Sequence, residues 1–356
     1  MRHCYEKASA VLVLDKHLRR STAYTPSKTT EPLLQIAISD WRFRVWTLQE
    51  AIFAKKLIFQ FLDASVDAEE LLTLHIASRT SNERLEKPDH VNVFLMINLA
   101  PALGLNTDLG PLRVRNSSLS GLLMSLQGRA ISKPEDEPVC AASLLGQDHV
   151  LNAILEWPRK EERMKVFWRT HHRIPSWVPF IDGPKLEDPG YKWAPSTLRY
   201  RLQGVAIGPG LDEYGEIHPG GSGLVIRRPG FVLLERESTR TEDNSWAENS
   251  FSLKDDRGLR YYVARSLDKL NPPLPELHGG KLSVAVIVAE WADRYHPQVL
   301  IVSIANDAEE EVIRCSIICR GIIIDEDKYP LDACPADWLD SYNARRVRDN
   351  QGWLLD

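Results

Sequence analysis

No run of eighteen apolar residues occurs anywhere in this 356-residue chain, so no membrane-spanning helix is expected. Basic residues are not in excess. Lys and Arg number 44 against 49 Asp and Glu, a formal net charge of −5. That balance gives no electropositive footprint and argues against a nucleic-acid-binding protein. Cysteine is sparse and odd in number: Cys4, Cys140, Cys315, Cys319 and Cys334 make five. This favours reduced thiols and a cytoplasmic setting over a disulfide framework. Cys315 and Cys319 stand four apart, but no second Cys or His pair of comparable spacing accompanies them, so no metal is expected. Cys315 and Cys319 lie in "VIRCSIICRGIIID", which reads as a strand that points both thiols the same way. No Gly-x-Ser-x-Gly elbow is present, and "GGSG" at Gly220–Gly223 has the wrong spacing for one. The opening "MRHCYEKASAVLVLDKHLRR" is too charged for a secretory leader.

What is there is 43% hydrophobic and long enough for two domains. The apolar run Ala10 to Leu14, ended by Asp15, reads as a buried parallel strand. A helical stretch from Leu33 to about Lys55 follows, with a break near Ser39 and Asp40, and then the strand "KLIFQFLD". Residues 1–65 thus have the texture of a partial α/β domain with too few strands to close a sheet. Residues 66–173 read as a helical region. In it Leu119, Leu122, Leu123 and Leu126 stand at helical spacing, and "PEDEPVCAASLLG" opens a helix with its acidic residues at the N-terminal end. From 174 to 330 short apolar runs alternate with Gly, Pro and Asp turns, which predicts a mainly antiparallel β-rich domain without a catalytic site. Residues 331–356 are expected to form a C-terminal tail or helix. The fold class expected overall is α+β.

One stretch concentrates unusual residues: "WRFRVWTLQEAIFAKK", Trp41 to Lys56. Placed on one continuous helix at about 100° per residue, Trp41, Val45, Leu48 and Ile52 form a core stripe. Arg42, Trp46, Glu50 and Phe53 fall elsewhere on its surface. No Lys or Arg stands at i±3 or i±4 from Glu50, so the usual helix-surface ion pair is missing. Glu50 is therefore an ordinary helix glutamate, or one paired with a distant base in the core, or a carboxylate whose pKa is tuned by aromatic neighbours. On this helix Trp46, one turn earlier, would screen it, and Arg44 would anchor a neighbouring element.

"FRVWTLQEAIFAKKLIFQF" resembles the closing motif of the fungal heterokaryon-incompatibility (HET) domain. Arg44, Trp46, Thr47, Leu48, Gln49 and Glu50 match that motif position by position, and "YEKASAVLVLD" is similar to a preceding segment of the family through Tyr5, Ala8, Val11, Val13, Leu14 and Asp15. The looser likeness extends to about Leu198. The "ALSYVWG"-like and "WIDALCINQ" segments that open such domains are absent, so the resemblance implies the second half of a HET domain followed by an extension. HET domains are in turn distantly similar to TIR domains, in which a Trp-Cys-Leu-x-Glu helix contributes a glutamate to an NAD-cleaving site. The resemblance thus implies Glu50 as the catalytic position, with Arg44, Trp46, Thr47 and Gln49 supporting it and NAD as a possible substrate. A carboxylate there would hold ribose hydroxyls and stabilise an oxocarbenium-like transition state.

Three readings stand at this point. The chain is an interaction and signalling module of fungal nonself recognition and programmed cell death, with protein partners or self-association. Or it is a TIR-like NAD glycohydrolase using Glu50. Or it is an inactive gene fragment. His171 and His172 end a basic helix and suit its dipole. Trp177 and Trp193, set among prolines, are expected to cover the edge of the β region, with a ligand-stacking surface as the alternative. Arg129 is a candidate to pair with the acidic trio Glu135, Asp136 and Glu137 at a helix cap.

Overall fold

The computed structural model describes residues 2–23, 30–80, 119–126, 128–181, 183–199, 213–238, 250–265, 283–289, 297–305, 311–325 and 340–356. Cys334 and most of the polar stretch 237–250 lie outside them. The chain divides into two compact units. The first comprises Met1–Phe167 and Thr197–Arg201, the second Trp168–Ser196 and Leu202–Asp356. The expected division at residue 65 is therefore absent: the α/β stretch and the helical middle form one unit.

The first unit is built on a small sheet. β1 (Val11–Val13) pairs in parallel with β2 (Leu57–Gln60), with Val11 opposite Leu57 and Val13 opposite Phe59. β3 (Ser65–Asp67) lies antiparallel on the other side of β2. Between β1 and β2 run α2 (Thr30–Ile38), α3 (Asp40–Phe43) and α4 (Thr47–Phe53). α1 (Arg2–Lys7) precedes β1 and packs on α4, and α5 (Ala68–Thr80) follows β3. Val13, Leu57 and Phe59 are buried, and Trp41 meets Phe59 edge-on at 5.0 Å between ring centroids. The other face of β1 is not covered as its apolar run predicted: Leu12 is 52% and Leu14 62% exposed. The parallel pairing matches expectation, but β1 is an edge strand with one buried face. Asp15, at its end, is buried and fully used. Its Oδ1 accepts from the backbone N–H of His17 and Leu18, and its Oδ2 from that of Trp41 at 3.1 Å. One carboxylate thereby links the strand exit to the start of α3.

The helical middle contributes α6 (Leu119–Leu126), α7 (Glu137–Leu145), α8 (Asp148–Glu156) and α9 (Arg163–Thr170). The four leucines of α6 are all buried, as their spacing predicts. α7 ends at Gly146, whose φ of 67° supplies the left-handed turn that stops a helix. Glu137 is 2% exposed at the start of α7 and holds the segment that returns to this unit. It accepts from the Thr197 hydroxyl, the Leu198 N–H at 2.6 Å and Arg199 Nε at 3.1 Å. Asp136 meets Arg163 at 3.9 Å. The expected pairing of the acidic trio with Arg129 is thus replaced by other partners.

The second unit opens on an aromatic cluster. Trp168 and Trp193 pack edge-on at 5.9 Å, Tyr191 stacks on Trp193, and the indole N–H groups donate to the carbonyls of Pro195 and Gly190. Trp177 and Trp193 are 2% and 0% exposed, so they fill the interior and offer no stacking surface to a ligand.

Seven strands then close a barrel. They are β7 (Gly230–Ser238), β8 (Ser250–Lys254), β9 (Arg260–Arg265), β10 (Ser283–Val288), β11 (Gln298–Ile304), β12 (Val312–Asp325) and β13 (Asp340–Arg346). Their order is β11-β10-β7-β13-β8-β9-β12, and β12 pairs back onto β11. Phe231, Phe251, Tyr261, Val286, Ile301, Ile323 and Tyr342 share the barrel core. β14 (Gly352–Leu355) pairs in parallel with β12 and extends the sheet through β6 (Leu224–Arg227), β5 (Tyr214–Ile217) and β4 (Arg173–Pro175).

Two expectations are corrected here. In place of the expected tail or helix over residues 331–356, the described part, 340–356, supplies β13, between β7 and β8, and β14. And Cys315 and Cys319 do not share a face. The ladder passes from Ile301 opposite Cys319 to Val302 opposite Ile317, a bulge that reverses the facing. Cys319 enters the barrel core, while Cys315 contacts the Leu354 carbonyl at 3.5 Å.

Two expectations for experiment follow from this packing. Substituting Leu12→Lys and Leu14→Thr removes apolar side chains from an open edge, so sedimentation should show less self-association with the thermal midpoint kept. Burial pushes the Cys315 thiol up from 9.0 to about 12, with the Asp356 charge adding to the effect. The folded protein thus favours the neutral thiol. This contribution is complete below about pH 9 and is lost as pH rises toward 12. Cys315→Ala should flatten the fall in thermal midpoint measured from about pH 8 to about pH 11.

Candidate functional site

The helix expected from Trp41 to Lys56 is broken at Arg44. Arg44 is extended, with φ −92° and ψ 135°, and ends α3. The cause lies far away in the chain. Ala130 forms a parallel bridge with Arg44: its N–H donates to the Phe43 carbonyl, and its carbonyl accepts from Val45 N–H at 3.1 Å. The Thr47 hydroxyl lies 2.6 Å from the carbonyls of both Trp41 and Arg44, so it caps the joint whichever one takes its proton.

Arg129 locks the same point. It is 3% exposed, and it donates Nη1 to the Arg44 carbonyl at 2.7 Å and to Thr47 Oγ1 at 3.2 Å, and Nε to the Ser125 carbonyl at 3.0 Å. Burial lowers its pKa to about 9, and neighbouring Arg42 pushes the same way, against the opposing charge of Glu50.

The break redirects α4. On one straight helix residues 41 and 50 would stand about 13 Å apart along the axis and half a turn out of phase. Instead Trp41 Nε1 donates to Glu50 Oε2 at 2.7 Å. The Tyr5 hydroxyl of α1 lies near the same carboxylate. Its pKa is raised by burial and by the Glu50 charge. The Trp41 ring lies between Phe59 and the Arg129 guanidinium, which sits 6.0 Å from its centroid.

The five residues singled out by the motif thus have different fates. Glu50 is half-buried, in the company of Trp41, Tyr5 and Arg129. The indole that meets it is Trp41, not Trp46, which is half-buried. Thr47 is buried at the joint. Gln49 is buried with its amide 3.7 Å from Cys140 Sγ. The Arg44 side chain is exposed, and its carbonyl does the anchoring. Cys140 is no nucleophile, because burial pushes its thiol up to about 12. Among the described residues no group of three or more His, Cys, Asp or Glu side chains could hold a metal ion.

A second concavity lies in the barrel unit, about 480 Å³ in volume, lined among others by His218, Ser222, Arg314, Ser316 and Asp356. Its acid and base are already engaged. Asp356 accepts from Gly190 N–H, and His218 Nδ1 accepts from Gly220 N–H at 3.2 Å.

Sequence reasoning placed Trp41 in the core stripe and passed over its indole N–H. It gave Tyr5 no role in the site, and it sought partners for Arg129 among carboxylates. Nothing local to any of these residues marks the contact, since each partner arrives through the break at Arg44. No family model, curated protein or solved structure matches the chain.

The Trp41–Glu50 bond gives a stability test. Trp41→Phe keeps a ring against Phe59 but removes the donor to a charged acceptor, at a cost of about 1.5–3 kcal/mol in urea unfolding. Glu50→Gln keeps an acceptor oxygen and should cost less, about 0.5–1.5 kcal/mol. The double variant should cost less than the sum, because the two residues share one interaction.

Proposed function

We propose that this chain is a HET-like interaction and signalling module of fungal nonself recognition and programmed cell death, working in the cytoplasm through protein partners or self-association. On this reading the first unit is a TIR-like HET remnant whose Trp46–Glu50 motif is spent on architecture. One observation carries the architectural part: the Glu50 carboxylate already accepts from the Trp41 indole of its own fold at 2.7 Å, with the Tyr5 hydroxyl near enough to feel its charge. A glutamate that is to hold ribose hydroxyls must offer its oxygens to the ligand. The rest of the motif is committed in the same way, with Thr47 capping the joint and Gln49 turned to Cys140. The placement in nonself recognition rests on the motif resemblance.

The second reading, an NAD glycohydrolase using Glu50, draws support from the partial exposure of that carboxylate and its aromatic flanks. Nicotinamide release separates the two. The purified chain incubated with NAD should release none above a buffer control. Expressed in a compatible fungal strain, it should provoke growth arrest that Glu50→Gln leaves intact. NAD loss that vanishes in Glu50→Gln would establish the enzymatic reading instead. No arrest and no NAD loss would count against both.

A further inference from the structure

Arg42 is largely buried with no anion beside its guanidinium among the described residues, and its nitrogens are not fully enclosed. It is 9% exposed, on the four-residue helix α3. Its backbone N–H bonds to Ser39, and its side chain rests over the Phe43 ring at 5.1 Å from the centroid. Among the described residues it has no carboxylate or carbonyl acceptor for its five N–H donors. Burial lowers its pKa with no acidic neighbour to offset the effect. A second cation, Arg129, is close enough that its own proton is disfavoured by Arg42. Arg129 spends its donors on Ser125, Arg44 and Thr47. Two guanidinium groups thus share one region of the first unit, one bonded throughout the joint and the other presenting its fork.

The fork is close to the surface. A Cβ built on Gly128 would lie 3.4 Å from Arg42 Nη1, and Gly128, at φ 67°, is exposed, as are Phe43 and Ala130 around it. A partly buried charge without a partner is costly and tends to mark function, not stability. A guanidinium matches the two coplanar oxygens of an oxyanion, and a low-dielectric wall strengthens the pairing.

The geometry points to Arg42 as the recognition residue of an oxyanion-binding site, in which the phosphate or carboxylate group of a ligand docks at the turn of Gly128 and takes up the excess positive charge of Arg42 and Arg129. This inference does not depend on the function proposed above.

The test uses the full chain and three variants, Arg42→Lys, Arg42→Gln and Arg42→Met, in sodium chloride, inorganic pyrophosphate or citrate at equal ionic strength. The wild-type thermal midpoint should rise by about 3 °C or more with saturating pyrophosphate, citrate or both. Response to pyrophosphate alone identifies phosphate as the ligand group, and response to citrate alone identifies carboxylate. Arg42→Gln and Arg42→Met should lose the rise, and Arg42→Lys should keep only part of it. In chloride, Arg42→Met should melt no lower than wild type, since it removes an unpaired buried charge. No wild-type response to either oxyanion would overturn the proposal. So would an equal response in Arg42→Gln, or a marked loss of stability in Arg42→Met, which would make Arg42 a structural residue held by Phe43.

Discussion

The guanidinium of Arg129 sets the geometry of the first unit. Its donors reach the carbonyls of Ser125 and Arg44 and the hydroxyl of Thr47, so one side chain joins the end of α6 to the break between α3 and α4. Such a charge is costly inside a protein unless its donors find acceptors. Here one acceptor, the Arg44 carbonyl, is free because the helix stops there. Break and guanidinium therefore depend on each other. A continuous helix would take the Arg44 carbonyl away from Arg129, and without Arg129 that carbonyl would keep only the Thr47 hydroxyl. The approach of Trp41 to Glu50, the engagement of Tyr5 and the burial of Gln49 all follow from that joint.

This dependence explains what could be read from the amino acids and what could not. The strands of the barrel announce themselves: "KLSVAVIVAEWAD" and "QVLIVSIAND" are apolar runs between turn signals, and they appear as β10 and β11. The leucines of α6 fall on one stripe because the helix is regular. By contrast, "RFRVWTL" holds no proline or glycine and reads as helix throughout. Its break is imposed by contacts 85 residues away in sequence. "DSYNARR" carries too many polar residues to read as a central strand. Only Tyr342 and Ala344 turn into the core, and the two-residue alternation is too short to stand out. The bulge that separates the faces of Cys315 and Cys319 leaves no mark in composition either.

The two units treat buried polarity differently. In the first, polar side chains carry the connections: Asp15 links strand to helix, Glu137 gathers the returning segment, and Arg129 holds the joint. In the barrel the interior is aliphatic and aromatic, and connection is left to the backbone ladder. Networks of the first kind are specific and intolerant of single losses, because removing one partner strands another. Interiors of the second kind tolerate volume-conserving changes. Sequence drift should therefore be slower at Asp15, Arg129 and Glu137 than at most barrel positions.

The insertion of β13 between β7 and β8 has a consequence for synthesis. β7 and β8 leave the ribosome one after the other and, as neighbours in the chain, are well placed to pair with each other as a hairpin. In the finished barrel they must lie apart, with β13 paired antiparallel to one and parallel to the other. The chain therefore carries two strands with unfilled edges through translation of everything between them, and it can close only after Arg346 has cleared the exit tunnel. Closure is a late event with distant contacts, which is slow and leaves strand edges exposed meanwhile. A chain cut off before β13 is made would leave an open sheet in place of a barrel.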